Sequence, residues 1–358
     1  MAEKVLVKGN EAIAEAAIMA GCRYFFGYPI TPQTEVSAYM AKRMPKIGGV
    51  FLQAESEVSA ANMVYGAAGA GASGARVMTS SSSPGISLKA EAISYMAGAD
   101  LPCVVINVVR AGPGLGGIQP AQSDYFQATK GHGHGDYRLI VLAPSSVQEI
   151  VDMTSDAFDL ADIYRTPVMI LADGMLGQMM EPVVFEQKKS TRIIPEKTWA
   201  TTGTEMKREH NIINSLYIQP NVLEKITLER YEKYKTIEQN ETKYEAYQTD
   251  DAEFILTAYG SVARICKNAV DELRAQGIKA GLIRPITLWP FPSEAYQTHT
   301  AGAKTILSVE MSMGQMIEDV RLAVNGRIPV YFYGRTGGNI PYPNEIIDEV
   351  KKIVGGEK

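Results

Sequence analysis

Short, almost continuous apolar runs separated by helical segments are the feature that most limits how this chain can fold. Residues 101–109, 138–143 and 167–172 each carry Val, Ile, Leu or Ala at most positions. A strand that is apolar on both faces must be covered on both faces, and this is typical of a parallel sheet whose crossover connections are helices. The sequence therefore predicts an α/β fold built on a doubly wound parallel sheet.

The chain changes character twice, which predicts three segments. Residues 1–185 alternate between helix and strand. Residues 186–250 are rich in charged side chains and scattered tyrosines, and we interpret them as a charged, partly helical connector. Residues 251–358 return to the alternating pattern and predict a second, smaller α/β domain. A chain of 358 residues is long enough for each domain to bury its own core.

Capping residues and breakers predict several element boundaries. Asn10 is expected to cap a first helix that Gly21 ends, and a second helix is expected over residues 34–43. Residues 284–290, which contain two prolines, are interpreted as a stop after a strand. Further strands are predicted over residues 23–28, 49–53, 75–79, 101–109, 279–283 and 305–310.

The composition excludes several classes of partner. Lysines and arginines total 35 against 40 aspartates and glutamates, which leaves no basic surplus for nucleic acid. No apolar run reaches the roughly 18 residues of a membrane span, and the first residues are unlike a signal peptide, so we expect a cytoplasmic protein without membrane contacts. Cys22, Cys103 and Cys266 form no CxxC pair and are expected to pack in the core. The four histidines lack zinc-ligand spacing, and no metal site is predicted on this chain.

Polar residues follow several predicted strands, at the edge where open α/β sheets bind their ligands. They are Glu55 and Glu57, the serine run 80–83, and Arg110. Each has an ordinary structural alternative, because a carboxylate favours a helix start and a strand-end arginine commonly forms a salt bridge. The glycine-rich loop 112–117 lacks the Lys-Ser/Thr pair of a phosphate-binding loop, and we interpret it as a mobile or ligand-covering loop.

Taken together, the motifs occur in the order and spacing of the 2-oxoacid:ferredoxin oxidoreductase family, and the chain resembles the alpha-type, pyrimidine-binding subunit of that family over nearly its whole length. The branched-chain, or 2-oxoisovalerate, members resemble it most. The motifs are Gly27-Tyr-Pro-Ile-Thr-Pro32, Gln53-Ala-Glu55, Thr79-Ser-Ser-Ser-Ser-Pro-Gly85, Val109-Arg-Ala-Gly-Pro113, Gln122-Ser-Asp-Tyr125 and Glu310-Met-Ser-Met-Gly-Gln315.

The resemblance implies a fold and a set of residue roles. Residues 1–185 would bind the aminopyrimidine of thiamine diphosphate, and residues 251–358 would form a transketolase C-terminal-like domain. Glu55 would be catalytic by hydrogen-bonding the pyrimidine N1′ nitrogen, and the family's Gln-x-Glu pattern selects it over Glu57. Thr31 and Arg110 would bind the substrate, with Arg110 on its carboxylate. The cofactor-binding residues would be Tyr28, Pro29, Ile30, Thr31, Glu55, Ser81 and Ser82.

Missing motifs imply partner subunits. Thiamine enzymes normally hold the diphosphate through Mg²⁺ and a Gly-Asp-Gly motif followed by Asn, and this sequence contains no Gly-Asp-Gly. The resemblance therefore implies a beta subunit that carries the diphosphate, Mg²⁺ and a [4Fe–4S] cluster, with a small ferredoxin-like subunit as a further candidate partner. The implied reaction converts a 2-oxoacid, coenzyme A and oxidised ferredoxin into acyl-CoA, carbon dioxide and reduced ferredoxin.

Two alternative functions stay open. A 2-oxoglutarate-specific alpha subunit shares the motifs and differs by needing an extra cation for the distal carboxylate, whereas a branched-chain enzyme needs an apolar wall. The histidines in residues 130–136 and Arg138 leave this choice open, because their loop could cover the site. A non-catalytic assembly subunit is the other alternative, and intact Thr31, Glu55 and Arg110 argue against it.

Overall fold

The computed structural model describes residues 3–131, 133–186 and 192–356. His132, in the loop that bears on substrate choice, and residues 187–191 of the predicted connector lie outside the described residues. The strands are β1 (Lys4–Lys8), β2 (Cys22–Gly27), β3 (Val50–Gln53), β4 (Arg76–Ser81), β5 (Cys103–Val109), β6 (Ile140–Leu142), β7 (Pro167–Asp173), β8 (Met180–Val184), β9 (Tyr244–Tyr247), β10 (Phe254–Thr257), β11 (Ala280–Pro285), β12 (Thr287–Trp289), β13 (Thr305–Glu310) and β14 (Val330–Gly334).

Helices connect and cover these strands. The helices are α1 (Gly9–Met19), α2 (Thr34–Arg43), α3 (Glu57–Gly69), α4 (Pro84–Gly98), α5 (Tyr125–Thr129), α6 (Val147–Tyr164), α7 (Gly174–Gln178), α8 (Pro220–Glu241), α9 (Gly260–Ala275), α10 (Ser293–Thr298), α11 (Met316–Val324) and α12 (Pro343–Val354). Two short 3₁₀ turns occur as well: Met44–Ile47 lies between α2 and β3, and Gly71–Gly74 lies between α3 and β4. None of the helices within the described residues combines the length and apolarity needed to cross a bilayer.

A seven-stranded sheet in the order β12-β6-β7-β5-β4-β2-β3 forms the larger unit, and all its strands are parallel except β12. All seven residues of the central strand β5 are buried. Its side chains alternate between two cores: Val104 and Ile106 face the core that includes α1 and α6, whereas Val105 faces the one that includes α3 and α4. The predicted doubly wound α/β architecture is confirmed.

A second sheet, in the order β14-β13-β10-β11-β9, forms what we call the five-stranded unit. The strands β10, β11, β13 and β14 are parallel, and β9 runs antiparallel to β11. Helices α9 and α12 pack on it through buried apolar residues. The strands β1 and β8 pair as a separate antiparallel ribbon.

Two short strands depart from the sequence prediction. β9 lies in the segment predicted as a connector, and β12 lies in the segment predicted as a stop. β12 follows the five-stranded unit's strand β11 but pairs with β6 of the larger sheet, so the chain returns to the first sheet after entering the second. Three or four residues are too few to show a strand pattern, and the limits 185 and 250 stay predictions.

The predicted role of Asn10 was wrong. Helix α1 begins at Gly9, and Lys8 occupies the capping position without a capping hydrogen bond from its side chain. A Cβ on Gly9 would lie 2.0 Å from the carbonyl oxygen of Leu176, so glycine lets the helix start against α7. Asn10 is instead buried, and its Nδ2 donates to the carbonyl oxygen of Pro32 at 2.7 Å.

The predicted packing role of the cysteines is confirmed, since all three are buried and free. Burial raises the pKa of Cys22 and of Cys103 to about 12, so neither forms a thiolate readily.

Candidate functional site

The predicted site residues follow four neighbouring strands at one edge of the larger sheet. In the order β5-β4-β2-β3, the strands lead to Arg110, to Ser81 and Ser82, to the turn 28–32, and to Glu55. Parallel strands place these carboxyl ends side by side. Three strand spacings separate the Arg110 strand from the Glu55 strand, which is about 14 Å along this edge.

Arg110 and Thr31 are in direct contact. The guanidinium of Arg110 donates through Nη1 to the carbonyl oxygen of Thr31 at 3.0 Å and through Nη2 to that of Leu115 at 3.1 Å. Arg110 is only 6 % exposed, and its buried Nε has no hydrogen-bond partner within the described residues. Within the described residues the guanidinium is thus held by neutral oxygens rather than by a carboxylate, which leaves its charge available to bind an anion.

The turn 28–32 is held by three side-chain amides, those of the buried Asn10 and Gln33 and of the exposed Gln178. Besides Asn10, Nε2 of Gln178 donates to the carbonyl oxygen of Pro32 at 3.3 Å. Gln33 is fully buried, donates to the carbonyl oxygen of Tyr28 at 3.3 Å, and accepts from Ser80 Oγ at 2.6 Å. These contacts fix Tyr28, Pro29, Ile30 and Thr31 between β2 and β4.

Glu55 lies at the exposed end of the row. The amide of Ala54 donates to the carbonyl oxygen of Gly27 at 2.9 Å, which ties the end of β3 to the start of the turn 28–32. Ser59 Oγ donates to Glu55 Oε1 at 2.6 Å, and this hydrogen bond holds the pKa of Glu55 below its usual value. The apolar surroundings expected for a pyrimidine-binding carboxylate are not formed around Glu55 by the described part of this chain, because β3 is an edge strand.

A buried polar cluster lies behind the serine run. Glu57 is 7 % exposed, and a Cβ on Gly85 would meet its Oε1 at 2.8 Å and Ser81 Oγ at 2.1 Å. Lys89 is fully buried, and its Nζ donates to Thr79 Oγ1 at 2.8 Å. Burial lowers the pKa of Lys89 to about 8, against the opposing effect of Glu57.

The side-chain hydroxyl groups of Ser81 and Ser82 are unpaired within the described part of the chain. Both residues are fully buried, and their hydroxyl oxygens have no hydrogen-bond partner among the residues described. Unpaired buried hydroxyls are costly unless a ligand satisfies them. Together with the exposed carboxylate of Glu55, they fit a ligand that carries ring nitrogens and an amino group, as the pyrimidine of thiamine diphosphate does. No group of three His, Cys, Asp or Glu side chains that could hold a metal occurs in the ranges described.

The glycine-rich loop after β5 folds beside Arg110. The amide of Gly117 donates to the carbonyl oxygen of Ala111 at 2.9 Å, which closes the loop. A cleft of about 520 Å³ opens between this loop, the start of α4 and the loop before α11; its lining includes Ser83, Gly112, Asp124, Met313 and Gln315.

Several buried polar residues around the site were not singled out from the sequence. Gln33 directly follows the turn 28–32, and Asn107 interrupts an otherwise apolar strand. Asp124 lies 9 % exposed beside Asn107. The polar interruption at Asn107 and the motif Gln122-Ser-Asp-Tyr125, which contains Asp124, are signals in the sequence that point to these residues.

Family models and known proteins match almost the whole chain. Residues 15–246 match the model described as pyruvate flavodoxin/ferredoxin oxidoreductase, thiamine diphosphate-binding, and residues 252–346 match pyruvate:ferredoxin oxidoreductase core domain II. The chain is 50 % identical to the ketoisovalerate oxidoreductase subunit VorB of Methanothermobacter marburgensis, over 98 % of each chain. It is 36 % identical to the 2-oxoglutarate synthase subunit KorA of the same organism, over 98 % of this chain and 99 % of that one.

Solved structures support the same assignment. A 2-oxoglutarate:ferredoxin oxidoreductase from Magnetococcus marinus, solved with 2-oxoglutarate, coenzyme A and succinyl-CoA bound, matches with a TM-score of 0.89 at 30 % identity. The match covers 98 % of this chain and 65 % of that chain. A split-gene transketolase, at 12 % identity and a TM-score of 0.60, shares the fold. The chain therefore belongs to the pyruvate flavodoxin/ferredoxin oxidoreductase family and is a subunit of a 2-oxoacid:ferredoxin oxidoreductase.

Proposed function

We propose that this chain supplies the pyrimidine-side half of an active site that oxidises a branched-chain 2-oxoacid, with 2-oxoisovalerate as its substrate. The observation that carries the proposal is the buried guanidinium of Arg110, held against Thr31 with a free Nε. The planar, two-pronged cation suits the carboxylate that every 2-oxoacid carries. The 50 % identity to a ketoisovalerate oxidoreductase subunit supports the branched-chain substrate.

The surroundings of Arg110 also support an apolar substrate side chain. Residues 111–118 contain no charged residue, and the loop offers Leu115 and Ile118 as large apolar side chains, 82 % and 58 % exposed. A distal carboxylate facing this loop would lose hydration without gaining a cation. A branched alkyl group would bury apolar surface against it.

The described basic residues of the segment 130–138 are either paired or placed away from this loop, and His132 lies outside the described residues. Lys130 Nζ pairs with Asp319 at 2.5 Å. The carbonyl oxygen of His134 accepts from Ser94 Oγ, about 15 Å along α4 from its start at the site edge. Arg138 precedes β6, and the amino ends of parallel strands lie at the edge opposite the site. These positions favour the branched-chain enzyme over the 2-oxoglutarate enzyme.

Thiamine diphosphate, when bound, supplies the carbon nucleophile and the electron sink for decarboxylation. This chain's contribution is to hold the pyrimidine. We propose that the Glu55 carboxyl group shares a proton with N1′, that Ser81 and Ser82 offer hydroxyls to the ring, and that the turn 28–32 shapes the wall beside it. Thr31 and Arg110 bind the substrate and orient its oxo carbon.

We further propose that partner subunits supply the groups that this half of the active site needs. The diphosphate, Mg²⁺ and a [4Fe–4S] cluster would belong to a beta subunit, and a small ferredoxin-like subunit would pass electrons to ferredoxin. Coenzyme A would accept the acyl group. The exposed Glu55 at the sheet edge supports completion by another chain, because a working carboxylate needs apolar surroundings that the described part of this chain does not provide. The free cysteines are compatible with a reducing cytoplasm.

The test is a substrate panel on the complex purified through a tag on this chain, with a viologen as electron acceptor. We expect kcat/KM for 2-oxoisovalerate to exceed that for 2-oxoglutarate by at least about 100-fold. Arg110→Met should raise KM by about tenfold or more, whereas the matched control Arg138→Met should leave it unchanged. A preference for 2-oxoglutarate, or equal effects of the two arginine variants, would contradict the proposal.

A further inference from the structure

A line of buried polar contacts begins inside β5. Asn107 is fully buried in a strand whose other residues are Cys, Val and Ile, where an unpaired amide would be strongly unfavourable. Both ends of its side chain are used. Oδ1 accepts from the amide of Ser83 at 3.2 Å, and Nδ2 donates to Asp124 Oδ2 at 2.9 Å.

Ser83 connects this amide to Arg110. The backbone amide of Arg110 donates to Ser83 Oγ at 3.1 Å, and the same hydroxyl lies 3.2 Å from the carbonyl oxygen of Arg110. Ser83 adopts φ 26° and ψ −84°, a conformation that non-glycine residues rarely take. A strained backbone conformation persists only where several contacts hold it in place. Here the hydrogen bonds that join Ser83 to Asn107 and to Arg110 hold it from two sides.

Asp124 connects Asn107 to the five-stranded unit. The residues flanking it are fixed by one amide, because Gln315 Nε2 donates to the carbonyl oxygen of Ser123 at 2.7 Å and Gln315 Oε1 accepts from the amide of Phe126 at 2.8 Å. Burial raises the pKa of Asp124, against hydrogen bonds from Asn107 and Ser83. The carboxyl group is therefore held in place by the same residues that it orients.

Gln315 is itself anchored. Glu310 is fully buried and accepts from the amides of Gln315 and Met316 at 2.9 and 3.1 Å, as well as from the hydroxyls of Ser308 and Ser312. The start of α11 is thus rigid where Gln315 contacts Ser123 and Phe126, the residues that flank Asp124.

We propose that Asp124, Asn107 and Ser83 are positioning residues through which the five-stranded unit holds Arg110 for the substrate carboxylate. The inference rests on the substrate-binding role proposed for Arg110. The tip of the guanidinium is fixed by Thr31 and Leu115, but the strand end that carries it is fixed by Ser83. A small displacement of this strand end would misalign the guanidinium with the carboxylate.

The first test compares Ser83→Ala with Ser83→Gly in the whole complex. Both variants remove the hydroxyl, but only glycine relieves the left-handed backbone strain. If Ser83 positions Arg110, KM for 2-oxoisovalerate rises about fivefold in both variants, with kcat within about twofold of wild type, although the glycine variant is the more resistant to urea. A rise in KM in the less stable alanine variant alone, with a wild-type KM in the more stable glycine variant, would overturn the proposal.

The second test uses Asp124→Ala, its conservative counterpart Asp124→Asn, and a matched control. Asparagine retains an acceptor for Asn107 and should restore most of the wild-type KM, whereas alanine should not. The control Thr154→Ala removes another buried hydrogen bond, from Thr154 Oγ1 to the carbonyl oxygen of Ile150 in α6, and should leave KM unchanged. Equal KM for the alanine variant and wild type would overturn the proposal.

Hydrogen exchange supplies a readout that does not depend on turnover. In the complex without substrate, the amide of Arg110 should exchange faster in Ser83→Ala and Asp124→Ala than in wild type and Thr154→Ala. Arg110→Met distinguishes a failure of the positioning role from a failure of the proposed function. If it raises KM while the Ser83 and Asp124 variants do not, the positioning role is overturned and the proposed function stands. If it leaves KM unchanged, the proposed function fails, and the positioning role fails with it.

Discussion

Lys89 gives a quantitative test of the buried cluster behind the serine run. Its side chain is fully buried, donates to Thr79, and has its pKa lowered from 10.5 to about 8 by burial. At about 1.4 kcal/mol per pKa unit, keeping this ammonium charged in the folded protein costs about 3 kcal/mol relative to the unfolded chain. The cost is greatest below pH 8, where Lys89 is charged in both states.

The sign of the pH dependence follows from linkage. Between pH 8 and 10.5 the unfolded chain binds the Lys89 proton more tightly than the folded chain does, so the free energy of unfolding rises with pH in this window. The gain should be about 2 kcal/mol between pH 7 and 9.5. Lys89→Met removes the titrating group at nearly constant length, so the difference between the wild-type and Met curves cancels the other tyrosines and lysines that titrate there.

The assay is urea unfolding of the purified chain from pH 7 to 9.5, followed by circular dichroism. We expect the wild-type free energy of unfolding to gain about 2 kcal/mol on that of Lys89→Met across the range. Curves that stay parallel would refute the reasoning, because they would mean that Lys89 titrates near its ordinary pKa in the folded protein.

Three further predictions concern the packing at Gly85, the hydrogen bonds of Glu310 and the binding of thiamine diphosphate by the isolated chain. Gly85→Ala should lower the free energy of unfolding by about 1–3 kcal/mol in urea, because the added Cβ would lie 2.1 Å from Ser81 Oγ; an unchanged value would contradict the close approach. Glu310→Gln should lower the unfolding temperature, because an amide cannot accept from all the donors that now surround the carboxylate, and equal thermal stability would argue against this network. The isolated chain should bind thiamine diphosphate weakly in calorimetry, and tight Mg²⁺-dependent binding would contradict a diphosphate site on the partner.

Much of the larger sheet could be predicted from the sequence. The apolar runs correctly predicted the strands whose two faces are both covered. The helix predicted over residues 34–43 and the strand predicted over residues 305–310 match α2 and β13 residue for residue. Helix α1 was misread because Asn10, a good capping residue, instead bonds to Pro32 far along the chain. The pairing of β12 with β6 could not be predicted, because three residues show no periodicity and the partner is distant in sequence.

The site was predictable to the level of a shared sheet edge. Strand ends of a parallel sheet must meet, so Arg110 and the serines were expected at one edge, whereas Thr31 was expected there from the family resemblance. The structure has all of them at the ends of adjacent strands. The sequence could not tell that Glu57 is buried while Glu55 is exposed, because the two carboxylates lie only two residues apart at the start of the same helix. The contacts from Gln315 to Ser123 and Phe126, which flank Asp124, depend on the packing of two units and leave no local pattern. The roles of these residues stay predictions.

The most direct test of the central claim is hydrogen–deuterium exchange at C2 of thiamine diphosphate in the reconstituted complex, compared between Glu55→Gln and Glu57→Gln. If Glu55 shares a proton with the pyrimidine, Glu55→Gln should slow this exchange by at least about 100-fold while the complex still assembles. Glu57→Gln should slow it far less, because Glu57, the first residue of α3, is buried against Gly85 beside Ser81. Near-normal exchange in Glu55→Gln, or a larger loss in Glu57→Gln, would contradict the assignment.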